Sequence, residues 1–283
     1  THSWIRGRFA SHPYLPFALN PDFKGHNALG FRGAPFELEK PAGVRRIVCI
    51  GASTTYGSLY DPDDSYPAQL GVLARPTHGH WEVINGGVLG TVSTETLIDL
   101  QIRVLPVEPD VVVIMPARNE LFPQIYNGFC ADYTHFRRPG FSFPVSNYLH
   151  KQLFKWSRLA MLACTVGGER FGWSEREEHP LYGGIVWENR PTPAEAAENA
   201  KDPARLAPLR RNLESMIQIC RGRGIQVLLC TIAFQTDKLE LDELPRDPHL
   251  NLLLTELVER DNELVREVGR RLGVAVVETA KLS

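Results

Sequence analysis

The sequence predicts an α/β fold, a three-layer sandwich around a mostly parallel, flavodoxin-like sheet of five strands. From Arg45 onward, short apolar runs rich in β-branched residues alternate with longer stretches of helical periodicity. Such alternation implies parallel strands joined by right-handed crossovers, with helices on both faces of the sheet. Three of the apolar runs end in glycine-rich or polar turns, as is typical of the edge where open α/β sheets bind ligands.

The composition is that of an ordinary globular domain: 283 residues, 43% hydrophobic and 23% charged, with a net charge of −2. The small charge gives no case for binding nucleic acid or an anionic membrane. No run reaches the ~20 apolar residues of a membrane span. Because the sequence begins without methionine, an upstream membrane anchor and an extracytoplasmic location in a bacterium remain open alternatives to the cytoplasm. The five cysteines form no CxxC pair and predict no zinc site, and no cofactor is predicted.

The first 43 residues have no sustained periodicity, because prolines and glycines interrupt them. We predict an extended N-terminal arm over residues 1–43 that lies across the surface of a domain spanning residues 44–283. Aromatic side chains recur in the arm and are expected to anchor it, with a ligand-binding role as the alternative. They are Trp4, Phe9, Tyr14, Phe17, Phe23, Phe31 and Phe36.

Within residues 44–283 the predicted strands and helices follow one another in turn. The strands are predicted at 47–50, 81–84, 109–115, 225–232 and 274–277. The helices are predicted at 66–74, with Leu70 and Leu73 facing the core, at 94–104, capped by Ser93 or Thr94, and at 206–223 and 248–272. Residues 121–203 interrupt this order. We interpret them as a helical insertion, with an amphipathic helix near 147–166, rather than as a second core.

The first strand leads into the segment Gly51-Ala52-Ser53-Thr54-Thr55-Tyr56-Gly57, which places a serine at the tip of a tight turn. Ser53 is therefore a candidate nucleophile at the carboxyl edge of the sheet. The alternatives are a helix N-cap or a phosphate-binding turn. The segment lacks the lysine of a P-loop and does not match GxGxxG, so nucleotide binding is weakly supported.

Two further turns supply groups that acyl transfer needs. The second strand ends in Asn85-Gly86-Gly87-Val88-Leu89-Gly90, and the third ends in Pro116-Ala117-Arg118-Asn119-Glu120. The backbone N–H groups of Ser53 and Gly90 and the side-chain amide of Asn119 could together form an oxyanion hole. One such donor typically contributes ~3–4 kcal/mol of transition-state stabilisation. The alternative for Asn119 is a turn residue that bonds its own backbone.

These blocks, in this order and after these strands, resemble the first three sequence blocks of the SGNH (GDSL-type) hydrolase superfamily. The segment Tyr66-Pro67-Ala68-Gln69-Leu70 resembles the helix that follows the nucleophile block. Asn27-Ala28-Leu29-Gly30-Phe31-Arg32-Gly33 is similar to a lead-in found in bacterial members linked to surface polysaccharides.

The resemblance implies that Ser53 is nucleophile and oxyanion donor, and that Gly90 and Asn119 are oxyanion donors. It implies a serine esterase or O-acyltransferase whose substrates are small acyl esters, such as O-acetyl groups on a carbohydrate. The alternative is a non-catalytic module that binds acylated glycans or docks a partner.

The sequence departs from the family pattern in two places. Ala117 stands where the third block usually has glycine, which puts a Cβ into that loop. The family also places its base in a C-terminal Asp-x-x-His, which we expect beyond residue 283, so that residues 1–283 alone should be nearly inactive. Asp132 and His135 have this spacing but lie after the third strand, and we interpret the match as coincidental.

Overall fold

The computed structural model describes residues 7–10, 12–58, 61–75, 80–137, 186–232 and 248–279. A short antiparallel ribbon opens it, formed by β1 (Phe9–Ala10) and β2 (Ala18–Leu19). Five parallel strands follow and form the central sheet: β3 (Val44–Gly51), β4 (His80–Asn85), β5 (Val111–Met115), β6 (Gln226–Cys230) and β7 (Ala275–Val277). Their order across the sheet is β4-β3-β5-β6-β7, the flavodoxin-like order, so the predicted α/β fold is confirmed.

Helices connect the strands and cover both faces of the sheet. They are α1 (Ser53–Tyr56), α2 (Tyr66–Ala74), α3 (Ser93–Asp99), α4 (Leu121–Ile125), α5 (Pro193–Ala200), α6 (Ala207–Arg221) and α7 (Pro248–Leu272). On one face, Val48 and Ile114 pack with apolar residues of α6 and α7. On the other face, Cys49 and Val113 pack with Leu70 of α2. The three-layer sandwich predicted from the sequence is therefore present.

Three local predictions about the helices are wrong. Leu73 does not face the core but is 71% exposed, whereas Tyr66 and Leu70 of the same helix pack against the sheet. Neither Ser93 nor Thr94 caps α3, because its N-cap residue is Val92, whose N–H donates to Glu95. The predicted helix 94–104 is regular α-helix only as far as Asp99. It continues as a π-helical turn over Leu100–Val104.

The N-terminal arm contributes to the core rather than only lying on the surface. Phe31 is buried in the main core, and Phe17 packs with Tyr56 of α1. The fully buried Arg46 of β3 fastens the arm further, since its guanidinium donates to the backbone carbonyl of Leu38 at 2.9 Å and to the carboxylate of Glu82 at 2.5 Å. The sequence could not show this burial, because the arm has no regular periodicity.

The described ends of the insertion pack in a second hydrophobic cluster, which they share with Val92, Ile232 and α7 of the surrounding domain. Ile125 of α4, Phe136 and Ala196 of α5 pack against Leu257 of α7. The predicted helix near 147–166 lies outside the described residues. No helix among the described residues is both long enough and apolar enough to cross a membrane.

Candidate active site

The carboxyl ends of three neighbouring strands hold the three candidate residues. Gly51, at the end of β3, lies beside Met115 of β5, and Cys49 lies beside Asn85 of β4. Ser53 follows β3 by two residues, Gly90 follows β4 and Asn119 follows β5. The chain leaves β3 for β4 on one side and returns to β5 on the other, so Ser53 stands at the topological switch point of the sheet.

A sharp turn between β3 and α1 presents Ser53. A Cβ on Gly51 would lie 2.5 Å from the carbonyl oxygen of Met115 and would overlap the hydroxyl of Thr55, so only glycine fits this position. Ser53 is the first residue of the one-turn helix α1 and is half-buried. Gly57 ends the helix in a left-handed conformation (φ 74°) and donates its N–H to the Ser53 carbonyl at 2.9 Å.

The turn after β4 packs directly on this helix. Val88 donates its N–H to the Gly51 carbonyl at 3.0 Å, and Gly87 donates its N–H to the side chain of Asn85 at 3.0 Å. The amide of Asn85 in turn reaches the Tyr56 carbonyl of α1 at 3.4 Å. The turn that carries Ser53 and the turn after β4 are therefore joined backbone to backbone.

The loop 90–93 is fastened at every residue by a side chain. Four backbone groups take part, namely Gly90 C=O with Arg137, Thr91 C=O with Asn119, Val92 N–H with Glu95, and Ser93 N–H with Glu120. Arg137 is also paired with Glu95 at 2.7 Å. A loop held in this way keeps its N–H groups in fixed directions, which is what an oxyanion hole requires.

Three donors remain available at this edge. The side-chain amide of Asn119 has two N–H groups, and one of them donates to the Thr91 carbonyl at 3.0 Å. Within the described part of the chain, the N–H groups of Ser53 and Gly90 have no hydrogen-bond acceptor. Asn119 sits in a 3₁₀ turn, Arg118–Glu120, and bonds the neighbouring loop rather than its own backbone. The alternative that it serves only its own turn is therefore not what the structure shows.

Ala117 fits its position without strain. Its backbone is extended, with φ −104° and ψ 151°, a conformation that any residue adopts. The side chain is buried, so the methyl group has found space in the loop. The departure from the glycine of the family pattern therefore needs no rearrangement of Asn119.

Glu120 is the residue of this site that the sequence did not reveal. Its side chain is fully buried and accepts hydrogen bonds from the Ser93 N–H, from the Ser93 hydroxyl at 3.1 Å and from the Tyr133 hydroxyl at 2.9 Å. Burial raises the pKa of Glu120 to about 8, against the opposing effect of these hydrogen bonds. The sequence gives no signal of this burial, because the partners of Glu120 come from other elements.

The Asp132-x-x-His135 pair is structural, so the interpretation of this spacing as coincidental is confirmed. The ring of His135 is buried and uses both nitrogens: Nδ1 accepts from the Cys130 N–H at 3.1 Å, and Nε2 donates to the Pro123 carbonyl at 2.9 Å. Asp132 accepts instead from the N–H and hydroxyl of Thr134. Burial lowers the pKa of His135.

Both ring nitrogens of His26 likewise have hydrogen-bond partners. Its Nδ1 donates to the Asn20 carbonyl at 2.8 Å, and its Nε2 faces the Tyr56 hydroxyl at 2.7 Å. His78, His150 and His179 lie outside the described residues, as does the side chain of His249. In the part of the chain that the structure describes, no histidine or carboxylate is bonded to the Ser53 hydroxyl, and no group of three His, Cys, Asp or Glu could hold a metal ion.

The lead-in segment 27–33 is fastened to the same helix. The side chain of Asn27 accepts from the N–H groups of Leu29 and Phe31, which folds the segment into a compact turn. Arg32 then donates from its guanidinium to the Tyr56 hydroxyl at 2.8 Å and stacks on that ring at 4.0 Å. The segment therefore supports α1, and through it Ser53.

Comparison with known proteins finds similarities among solved structures only. No protein-family model matches the chain, and no curated protein matches it in sequence. Among solved structures it is similar to AlinE4, described as an SGNH-hydrolase family esterase, with 15% identity and a TM-score of 0.42 over 84% of this chain and 77% of that one.

Two further solved structures are similar to the same degree. One is an acetylxylan esterase from Geobacillus stearothermophilus, with 14% identity and a TM-score of 0.44 over 84% of this chain and 77% of that one. The other is a putative lipolytic protein of the G-D-S-L family from Desulfitobacterium hafniense, with 12% identity and a TM-score of 0.44 over 83% of this chain and 78% of that one.

Proposed function

We propose that the chain belongs to the SGNH (GDSL-type) hydrolases and is a serine esterase or O-acyltransferase for small acyl esters. The observation that carries the proposal is the convergence of Ser53, Gly90 and Asn119 at the switch point of the sheet. A nucleophilic hydroxyl beside preorganised N–H donors is the arrangement that acyl transfer requires. The three sequence blocks that resemble the family supply the same three residues.

In the proposed reaction, the Ser53 hydroxyl attacks the ester carbonyl and passes its proton to a base. The carbonyl oxygen becomes an oxyanion, which the N–H groups of Ser53 and Gly90 and the amide of Asn119 stabilise. Collapse of this intermediate expels the alcohol with a proton and leaves Ser53 acylated. Water or a sugar hydroxyl then takes the acyl group by the reverse sequence of steps. The resemblance to the family assigns the base to the histidine of an Asp-x-x-His block.

The carbohydrate part of the proposal follows from segment 27–33. That segment resembles a lead-in of family members linked to surface polysaccharides, which favours O-acetyl groups on a glycan as substrate. In this chain the segment supports α1 through Arg32 and Tyr56. This contact holds the helix that carries Ser53.

The test is hydrolysis of p-nitrophenyl acetate by the full-length protein. The Ser53→Ala variant should lose about three orders of magnitude or more in turnover, because the nucleophile is gone. Ser215→Ala is the matched control, since its hydroxyl only bonds the Arg211 carbonyl within α6, and it should keep wild-type turnover. Undiminished turnover in Ser53→Ala would overturn the proposal. Binding of an acetylated oligosaccharide without any turnover would favour the non-catalytic module instead.

A further inference from the structure

Two adjacent side chains hold the loop 90–93 at two points. Asn119 donates its amide to the Thr91 carbonyl at 3.0 Å, and Glu120 accepts the N–H of Ser93. The two attachment points on the loop are two residues apart, and Gly90 stands immediately before them. The turn after β5 thus holds the turn after β4 at two points that directly follow Gly90, whose N–H is a proposed oxyanion donor.

Glu120 makes this contact from the interior of the protein, where other buried groups hold it in place. It is fully buried, and the Tyr133 hydroxyl donates to it at 2.9 Å. The amide of Asn212 on α6 donates to the Ser93 hydroxyl at 2.9 Å, which orients that hydroxyl toward Glu120. Tyr133 has a left-handed backbone (φ 67°), which is uncommon for a residue with a large side chain. Groups from two other parts of the chain, Tyr133 and Asn212, therefore converge on the bond between Glu120 and Ser93.

The position of the loop matters because an oxyanion hole acts through direction as well as through charge. A donor must already point at the place where the oxyanion will form, since no energy is then spent on turning it during the reaction. A displacement of about 1 Å at such a group can cost about 100-fold in rate. Fixing Ser93 and Thr91 fixes where the N–H of Gly90 points relative to the amide of Asn119.

We propose that Glu120 is a positioning residue that holds the loop 90–93, and with it the Gly90 donor, in register with Asn119. This inference rests on the proposed function. A positioning role for Glu120 can be distinguished from a purely structural one by comparison with another buried carboxylate of the chain. Asp261 of α7 is a second fully buried carboxylate, and both of its oxygens accept from the amide of Gln124, at 2.9 and 3.0 Å. In the described residues it makes no hydrogen bond to the loop 90–93.

The experiment compares Glu120→Ala, Glu120→Gln and Asp261→Ala in the full-length protein, with p-nitrophenyl acetate as substrate. Glu120→Ala should lower kcat by about tenfold to 100-fold with KM changed by less than about threefold, because the loop shifts while substrate binding is kept. Glu120→Gln should recover most of kcat, since its amide oxygen still accepts the Ser93 N–H. Asp261→Ala should lower the melting temperature yet keep wild-type kcat per folded molecule.

Hydrogen exchange of the amides in residues 90–93 gives a readout that does not need catalysis. Exchange there should accelerate in Glu120→Ala and stay unchanged in Asp261→Ala. If Glu120→Ala does not fold, Glu120→Asp replaces it, because a carboxylate one methylene shorter withdraws from Ser93, and the same loss of kcat is expected.

Wild-type kcat and slow exchange in Glu120→Ala, or an equal loss of kcat in Asp261→Ala, would overturn the inference. If Ser53→Ala keeps its turnover, the proposed function fails instead. In that case the exchange result still decides whether Glu120 fastens the loop.

Discussion

Gly87 lies against the backbone of Tyr56 so closely that a Cβ at position 87 would overlap the Tyr56 nitrogen and stand 2.8 Å from the Thr55 carbonyl carbon. Both of these atoms belong to the main chain of α1, which cannot move aside as the end of a flexible side chain can. The turn after β4 and the nucleophile helix are therefore in direct contact only because residue 87 has no side chain.

Gly87→Ala should consequently displace α1 and lower both stability and turnover. We expect a loss of about 1–3 kcal/mol in the free energy of unfolding and a fall of at least about tenfold in kcat. The matched control is Gly71→Ala in α2, where a Cβ would meet Val83 at an ordinary 3.5 Å. That change should be neutral or stabilise the helix by up to about 1 kcal/mol. Urea unfolding and esterase kinetics measure both effects, and an unaffected Gly87→Ala would contradict the packing argument.

Asn119 should contribute to kcat more than to substrate binding. Replacing it with alanine removes one oxyanion donor, which typically costs about 100-fold to 1,000-fold in kcat. Asn119→Asp should lose at least as much, because a carboxylate of the same size offers no N–H and repels the developing negative charge. KM should change little in both variants. A rise in KM with kcat preserved would show that Asn119 binds the ground state of the substrate and not the oxyanion.

The fold and the placement of the three candidate residues at one edge of the sheet could be predicted because their signals are local. The run before Ser53 is apolar and β-branched, Gly51 ends its strand, and Gly87 lies two residues after the end of β4. Parallel pairing then brings the strand ends together without any further information. The burial of Phe17 and Phe31 was not predictable in the same way, because irregular segments show no periodicity from which a buried face could be inferred.

Glu120 could not be predicted because its role depends on a contact that the chain closes over a long distance. Ser93 lies 27 residues away in the sequence, and Asn212, which orients the Ser93 hydroxyl, lies 119 residues from Ser93. Neither separation matches a helical or strand period. An acidic residue beside a turn asparagine normally indicates a solvated turn, and only the packing of α6 and of the Tyr133 turn excludes water from this one.

Tyr56→Phe should weaken the connection between the lead-in segment and α1. The Tyr56 hydroxyl accepts from Arg32 and faces Nε2 of His26, so its loss leaves both groups short of a buried partner. We expect a loss of about 1–3 kcal/mol in the free energy of unfolding, although the ring itself is kept. The measurement is urea denaturation at neutral pH. An unchanged free energy of unfolding would mean that solvent or another group replaces the hydroxyl.

Two buried carboxyl groups should make the protein less stable as the pH rises. Burial raises the pKa of Glu120 to about 8 and that of Asp261 to about 7. In the unfolded chain both groups release their protons near pH 4. Between that pH and the pKa values of the folded protein, the folded protein therefore holds protons that the unfolded chain has lost. Unfolding then releases protons, and raising the pH favours it by up to ~1.4 kcal/mol per pH unit for each group. The stability that each protonated carboxyl group contributes is fully present below its pKa in the unfolded chain. It is lost as the pH rises through its pKa in the folded protein.

The free energy of unfolding in urea should accordingly fall between about pH 5 and about pH 8. Asp261→Asn and Glu120→Gln cannot titrate at these positions, so each variant should flatten its part of the profile. The Asp261 variant should act mainly below about pH 7, and the Glu120 variant should act up to about pH 8, in line with the order of the two pKa values. A stability that rises over this interval in the wild-type protein would mean that the hydrogen bonds from Ser93 and Tyr133 outweigh burial at Glu120.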